Sequence, residues 1–493
     1  MGCSIGLSHL APFVRDSFYF HKRKYISRGL SEQVANNFAE QDLKKEIQDA
    51  VQTFNYQVNS MTNTNGQAPF LTVFMYLKEN EEYMKETAML IDEFLEQRMA
   101  GLKNEKGVPI TQAFPKLIYV LDDNNMSEDS EYYWLTKKSA LCTSIRLVPD
   151  YISAKVMIEY KDGNVFPSMG CRSFLSPWYD EKGKAKFYGR FNVGVVTLNL
   201  VDVALSSNGD LDKFWKILDE RLAICHKACQ CRIKRIENVI SDVAPILWQH
   251  GAYARLKKGE TLYSIVHGGY ASISLGYVGL FETVKALIGE SHTTENGKKI
   301  AIQILRYLNE VIALWSKEDD IAYGLYGTPQ ESTTYKFAKS LRKRFGKIEG
   351  ITDKNYIINS YHVDVKEAIS PFEKLVFEGQ LQKYSLGGAI SYIECGNLKQ
   401  NVDAVIEVLK CIYNSTMYAE LNIKSDYCME CGFDGEIQLD DDLEWYCPNC
   451  NNRDKTKMNV TRRTCGYIGS NFWNKGRTQE IKERFVHLED IEA

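Results

Sequence analysis

Two Cys-x-x-Cys pairs near the C-terminus, Cys428-Met-Glu-Cys431 and Cys447-Pro-Asn-Cys450, lie fifteen residues apart. Four thiolates at this spacing can close a tetrahedral structural zinc site. Sulfur would fill all four positions and leave none for water, so the metal is expected to be structural rather than catalytic. The segment around it is short and polar, with Asp440-Asp-Asp442 between the pairs, and would draw its folding energy from the metal. Zinc ribbons also occur in nucleic-acid binders, but the acidic stretch argues against that use here.

The rest of the chain is long enough for one large catalytic domain: 493 residues, 44% of them apolar. Sixty basic and 64 acidic residues, with a net charge of −4, are spread along it without the basic face of a nucleic-acid binder. No N-terminal stretch has the order of a signal peptide, and no apolar run reaches the length of a membrane span. The thirteen cysteines read as thiols and metal ligands in a reducing cytosol, so a cytoplasmic location is expected.

Taken in order, residues 6–18 read as the interior of a folded domain. The spacing of Val34, Phe38, Leu43, Ile47, Val51 and Phe54 predicts a helix over 31–57. A strand is expected over 71–76, a helix over about 79–99 ending at Gly101, and a buried strand over 115–121. Residues 122–133 read as a loop. Ser168 to Phe174 reads as a tight loop, and Phe191 to Asn199 as a strand. A long helix over 210–242 carries Leu211, Trp215, Leu218, Leu222, Cys225, Cys229 and Ile236 on one stripe. Residues 270–280 are Gly- and Ser-spaced and lead into a helix. Further helices are expected over 297–316, 332–345 (capped by Ser332) and 399–417. Strands are expected over 356–362 and 389–393, the second opened by Gly387-Gly388. Alternating strands and helices indicate an α/β fold. Cys225 and Cys229 read as core, His226 with Cys229 and Cys231 forms no convincing metal set, and His362 reads as structural.

After the zinc pairs comes Thr461-Arg-Arg-Thr-Cys-Gly-Tyr-Ile-Gly469, followed by Asn471-Phe-Trp-Asn-Lys-Gly476. A lone glycine usually marks a turn. Here Gly466 is flanked by Arg463, Cys465 and Tyr467, and the stretch resembles the glycyl-radical loop of class III (anaerobic) ribonucleotide reductases. The resemblance runs from about residue 6 to the C-terminus. It includes Leu10-Ala-Pro-Phe-Val14, Gly66-Gln-Ala-Pro-Phe70, Met169-Gly-Cys-Arg-Ser173, Tyr326-Gly-Thr-Pro329 and Asn359-Ser-Tyr-His-Val363.

The resemblance implies a ten-stranded α/β barrel of two antiparallel five-stranded halves, with the loops of Cys171 and Gly466 meeting inside. The barrel would span residues 1–420, a zinc-binding ribbon 421–455, and the radical loop and tail 456–493. It further implies a radical on Gly466, installed by a radical-SAM iron–sulfur activase and relayed through a thiyl radical on Cys171. Met169 and Asn192 fall at substrate-pocket positions. Ribonucleoside triphosphates are the implied substrates and formate the implied reductant, in a homodimer bound to neither membrane nor nucleic acid. Glycine suits such a radical because the planar centre is stabilised by the adjacent amide nitrogen and carbonyl, whereas a side chain would oppose planarity.

One departure stands out. The family carries a further stretch ahead of this chain's start, with a second active-site cysteine, part of the barrel and much of the effector-binding surface. Cys3 lies too near the start to replace that cysteine securely, so two origins stay open: the downstream product of a split gene, with a separate N-terminal fragment as partner, or a truncated reading of one gene. The competing readings are a glycyl-radical lyase, some of which carry adjacent cysteines in the finger loop where Cys171 precedes Arg172, and a zinc-ribbon or nucleotide-binding remnant.

Overall fold

The computed structural model describes residues 2–62, 68–103, 107–175, 178–179, 182–185, 189–251, 256–329, 333–464, 466, 468–470 and 473–489, with backbone only at 2, 3 and 470. The side chain of Cys3, the proposed cap Ser332, and Gly66, Cys465, Tyr467, Asn471 and Phe472 therefore lie outside the described residues.

Two sheets organise the centre. The strands are β1 (Gly2–Gly6), β2 (Phe70–Met75), β3 (Lys116–Leu121), β4 (Asp150–Ser153), β5 (Phe191–Asn199), β6 (Ala271–Val278), β7 (Ala322–Gly327), β8 (Ser391–Glu394) and β9 (Tyr418–Asn422). One sheet has the order β1-β2-β3-β4-β9-β8 and the other β5-β6-β7. Strands β1 to β4 are mutually parallel, with Val73 opposite Leu117 and Ile118 opposite Asp150. Strand β9 runs antiparallel to β4, with Tyr418 opposite Ile152, and parallel to β8. Strands β5, β6 and β7 are parallel throughout. A bridge from Tyr326 to Gly388 joins β7 to the segment leading into β8. The neighbour order thus runs through nine described strands, four in one parallel set and five in the other.

The join explains the Gly387-Gly388 pair. A Cβ on Gly387 would sit 2.8 Å from the Gly324 carbonyl carbon, and one on Gly388 1.9 Å from the Tyr326 ring. The pair was expected to open a strand. It does so two residues later than predicted, because the glycines themselves serve as the contact between sheets.

Strand β3 is buried along its whole length, the pattern of a parallel strand covered on both faces. Strand β6 is also fully buried, though its Ser and Gly spacing hid it in the sequence. Ile273, Leu275 and Tyr277 enter the core, while Ser272, Ser274 and Gly276 alternate onto the other face, toward Asn192 and Thr197.

Helices α1 (Ala11–Ser27) and α2 (Glu32–Ser60) pair through a short turn, and α3 (Met84–Ala100) packs beside them. The helix predicted from Glu79 starts at Met84, after two 3₁₀ turns. Leu7, Ala11 and Val14 are buried as expected for residues 6–18, but Phe13 is 69% exposed. Residues 122–133 are not all loop: Asp122 and Asn125 form a capping box around the helix Asp123–Met126. In α4 (Leu211–Glu237) the buried stripe begins at Phe214, while Leu211, in the capped first turn, is exposed. The last predicted helix spans Val402–Ser415, and the chain then enters β9.

Residues 356–362 are buried but form no strand. Their backbone partners lie at the start of the helix Leu280–Ile288: Gly279 N donates to Ile358 O, Leu280 N to Ser360 O, and Ile358 N to Glu282 Oε1. Such pairing satisfies the buried amides without a sheet neighbour.

Ile118, at 0% exposure in β3, anchors the main core. Its replacement by alanine is expected to lower the unfolding free energy by about 2–5 kcal/mol. This should be read as a lower urea midpoint at unchanged slope.

Candidate active site

The loop Ser168 to Phe174 closes on itself: Met169 N donates to Ser173 O (2.7 Å) and Ser173 N to Met169 O (3.3 Å). Gly170 at φ +61° allows the tight turn that puts Cys171 at the apex. The loop is tied to the sheets at both ends. Ser4 Oγ donates to Ser168 O (3.0 Å), and Phe174 N to Gly387 O (3.0 Å).

Gly466 reaches the same place from the other end of the chain. Thr461–Arg463 and Ile468–Ser470 form an antiparallel hairpin, and between them Gly466 is itself buried, at φ +101°. A Cβ there would meet Cys171 O at 2.7 Å, Cys171 C at 3.1 Å and Cys171 Cβ at 3.3 Å. Both the backbone angle and the space demand glycine. The two loops are therefore in direct backbone contact.

On its other side Cys171 lines a cavity of about 500 Å³. Met169 and Gly170 share its wall, and Asn192, Ser274 and Tyr326 line it from β5, β6 and β7. Gly466 is not among the lining residues. A register shift between Asn192 and Val195 breaks the ladder there. The Asn192 amide is held at both ends. Nδ2 donates to Ser272 Oγ (3.3 Å) and Ser274 Oγ (3.0 Å), and Oδ1 accepts from Gly194 N (2.7 Å). Thus Cys171, Met169 and Asn192 share one cavity, with Gly466 behind the thiol loop.

A buried ionic cluster that sequence reasoning missed lies beneath the contact. Lys116 Nζ donates to Cys171 O (2.6 Å) and Gly466 O (2.5 Å), and pairs with Asp150 Oδ2 at 2.9 Å. Tyr418 OH donates to the same Asp150 oxygen (2.6 Å) and lies 3.5 Å from Cys171 O. Arg463 Nη1 lies 2.5 Å from Asp150 Oδ1 and 2.8 Å from Glu420 Oε2. Burial raises the Glu420 carboxyl pKa, and Arg463 opposes the rise. Arg484 Nη1 donates to Arg463 O (3.1 Å) and pairs with Glu394 (3.1 Å), which also accepts from Lys424 and Asn422. One signal was available: Lys116 opens an otherwise apolar strand and Glu420 sits inside another, and a charge in a fully buried strand requires a partner.

The four cysteines come together as the spacing predicts. Their sulfurs all lie within 4.8 Å of one another, with Cys428–Cys450 and Cys431–Cys447 each at 3.7 Å. A tetrahedral zinc with Zn–S bonds near 2.3 Å needs S–S edges of about 3.8 Å, so the set fits that ion. Asp426, two residues before Cys428, links this unit to the hairpin. Its carboxylate accepts from Thr461 N (2.8 Å) and Ile437 N (2.9 Å) and pairs with Arg462 Nη1 at 2.5 Å.

The remaining candidates have structural surroundings. Cys225 and Cys229 are buried in the core, His226 pairs with Asp319 at 2.8 Å, and His362 bonds the carbonyls of Ile390 (2.8 Å) and Asn359 (3.0 Å). No helix among the described residues is long and apolar enough to cross a membrane.

Parallel strand sets, with a thiol loop and a glycine hairpin in contact, make a mixed α/β fold of the glycyl-radical enzyme type. The anaerobic ribonucleotide reductase of Thermotoga maritima shares this fold, with a TM-score of 0.65 at 18% identity over 95% of this chain and 72% of that one. The family model for anaerobic ribonucleoside-triphosphate reductase matches residues 2–487. The Haemophilus influenzae enzyme of that name is 38% identical over 487 residues, 97% of this chain and 67% of the relative. The corresponding enzyme of Enterobacteria phage T4 is 35% identical over 491 residues, 97% of this chain and 78% of the relative. The chain belongs to the anaerobic ribonucleoside-triphosphate reductases, oxidoreductases that supply deoxyribonucleotides.

The salt links behind Arg463 make stability depend on acid. Burial alone would raise the Glu394 pKa, but Lys424 and Arg484 outweigh it and hold the group at about 2, against an ordinary 4.5. A depressed carboxylate contributes stability that is present above pH 4.5 and lost as the pH falls toward 2. Urea midpoints measured across that window should fall for the native chain. E394Q should be less stable at pH 7 and should lack this part of the acid dependence.

Proposed function

We propose that Gly466 stores the radical and that Cys171 relays it to a ribonucleotide in the cavity. The observation that carries this reading is the backbone contact between Gly466 and Cys171, with only Cys171 reaching the cavity. A radical-SAM activase removes one hydrogen atom from Gly466. Hydrogen transfer from the Cys171 thiol then restores the glycine and leaves the sulfur radical, which takes the ribose 3′ hydrogen. The 2′ hydroxyl leaves as water, and formate supplies two electrons, ending as carbon dioxide.

Asn192 has both amide hydrogens taken by Ser272 and Ser274, and its Oδ1, which already accepts from Gly194 N, keeps one lone pair to accept from a ribose hydroxyl. Met169 forms the adjoining apolar wall. Burial of Gly466 keeps water and oxygen from the stored radical. Cys428, Cys431, Cys447 and Cys450 would hold a structural zinc that stabilises the base of the hairpin.

The described strands, four and five in their two sets, suit a ten-stranded barrel with a further strand, and because β9 ends at Asn422 the barrel would run to 422 rather than to the expected 420. The ribbon would then be 423–455 and the radical segment 456–493. Nucleotides as ligands accord with the Thermotoga maritima reductase solved in complex with dATP and CTP. A homodimer would cover the apolar side chains that α1 and α2 leave outward, among them Phe13, Phe20 and Tyr56.

The deciding experiment is anaerobic EPR after incubation with a cognate activase, S-adenosylmethionine and reductant. The native chain should give a glycyl doublet, and air should then cleave the backbone at Gly466. G466A should give no doublet. C171A should keep the doublet yet lose nucleotide reduction by at least about 10³-fold. A native chain without a doublet, both alone and with an N-terminal fragment, overturns the reading.

Metal analysis supplies a second test. One zinc per chain is expected, and C447S should lose it, together with stability and radical yield. A C447S chain with full zinc content would refute the four-cysteine site.

A further inference from the structure

We propose that Lys116 is the positioning residue of the radical relay, tying the Cys171 and Gly466 carbonyls to one ammonium group. The proposal rests on the assignment of the radical to Gly466 and its relay to Cys171.

An ammonium has three hydrogens to donate. Lys116 directs them to Cys171 O at 2.6 Å, Gly466 O at 2.5 Å and Asp150 Oδ2 at 2.9 Å. Pairing with Asp150 alone would answer the need to neutralise a buried charge. The other two bonds join two loops whose anchors among the described residues lie apart: the cysteine loop on the sheets at Ser4 and Gly387, the hairpin through Arg462 and Arg463. Lys116 is itself closely packed. Its side chain is 4% exposed, its nitrogen lies 5.3 Å from the centre of the Tyr418 ring, and Arg463 fixes the far oxygen of Asp150.

Two effects follow. The first is geometric: hydrogen exchange between thiol and glycine needs near-contact of donor and acceptor, and small displacements slow it steeply. The second is electrostatic. A radical at Gly466 Cα is stabilised by a donating amide nitrogen and an accepting carbonyl, and a cation on that carbonyl strengthens the accepting side. In the exchange the S–H bond breaks, the Cα–H bond forms, and no other reactant takes part. Lys116 transfers nothing; it sets the separation and the balance of the two radical states.

The test reads the relay directly. In D₂O the glycyl doublet of the native chain collapses to a singlet as the remaining α-hydrogen exchanges through the Cys171 thiol. K116M, folded with full zinc content though melting below the native chain, is expected to take up the radical but to show collapse slowed by about tenfold or more. K116R should recover part of the rate. Native protein isotope-labelled at lysine Nζ should show a nitrogen coupling to the glycyl radical by pulsed ENDOR, and this reading decides the matter if K116M does not fold. Native-rate collapse in K116M, or no lysine coupling in the native chain, overturns the proposal while leaving the radical assignment intact. A native chain with no doublet overturns both.

Discussion

The absence of a side chain at Gly466 is the condition on which the centre of the molecule rests. A Cβ there would fall 2.7 Å from the Cys171 carbonyl oxygen, so even alanine would push the two loops apart. Close packing of two backbones normally leaves carbonyls facing one another without donors, which is costly in a buried place. Here Lys116 supplies the donors, Asp150 balances its charge, and Arg463 balances Asp150 in turn. The contact and the ionic cluster therefore depend on each other. Removing one partner of such a buried set leaves the others uncompensated, which is far worse than never having had the set.

The zinc unit belongs to the same construction. It shares with the hairpin one buried carboxylate, Asp426, which binds Thr461 N, Ile437 N and Arg462 together. A two-stranded hairpin of three residue pairs has little stability in isolation. The Arg463–Arg484–Glu394 links fix its base on one side, and a metal held by the four cysteines would fix it on the other. In this way a structural metal that touches no residue of the cavity wall would bear on the position of Gly466.

Those parts of the site that rest on short, local patterns were readable in the sequence. The cysteine knuckles, the Gly-flanked Cys171 and the setting of Gly466 each occupy a few consecutive residues, and Cys171, Met169 and Asn192 do come to one cavity. The ionic cluster was not readable, because Lys116, Asp150, Tyr418 and Arg463 are brought together only by strand order. Strands β6 and β7 were hidden by small residues. Ser272, Ser274 and Gly276 leave room for Asn192 and the cavity where a strand reader expects β-branched side chains. Residues 356–362 misled in the opposite way, since their apolar character reflects burial against a helix start rather than sheet pairing.

The hairpin bearing Gly466 pairs only with itself among the described strands and joins neither central sheet. Drawing it outward would break no sheet ladder. Among the described residues the resistance to withdrawal lies in side chains: the Lys116 bond, the Asp426 and Asn422 bonds to the hairpin's first strand, the Arg463 pairs and the Arg484 link. The segment is thus latched rather than woven in. Any protein that had to reach Gly466 would have to undo these polar contacts, and the strength of that latch would set how seldom the glycine meets solvent at all.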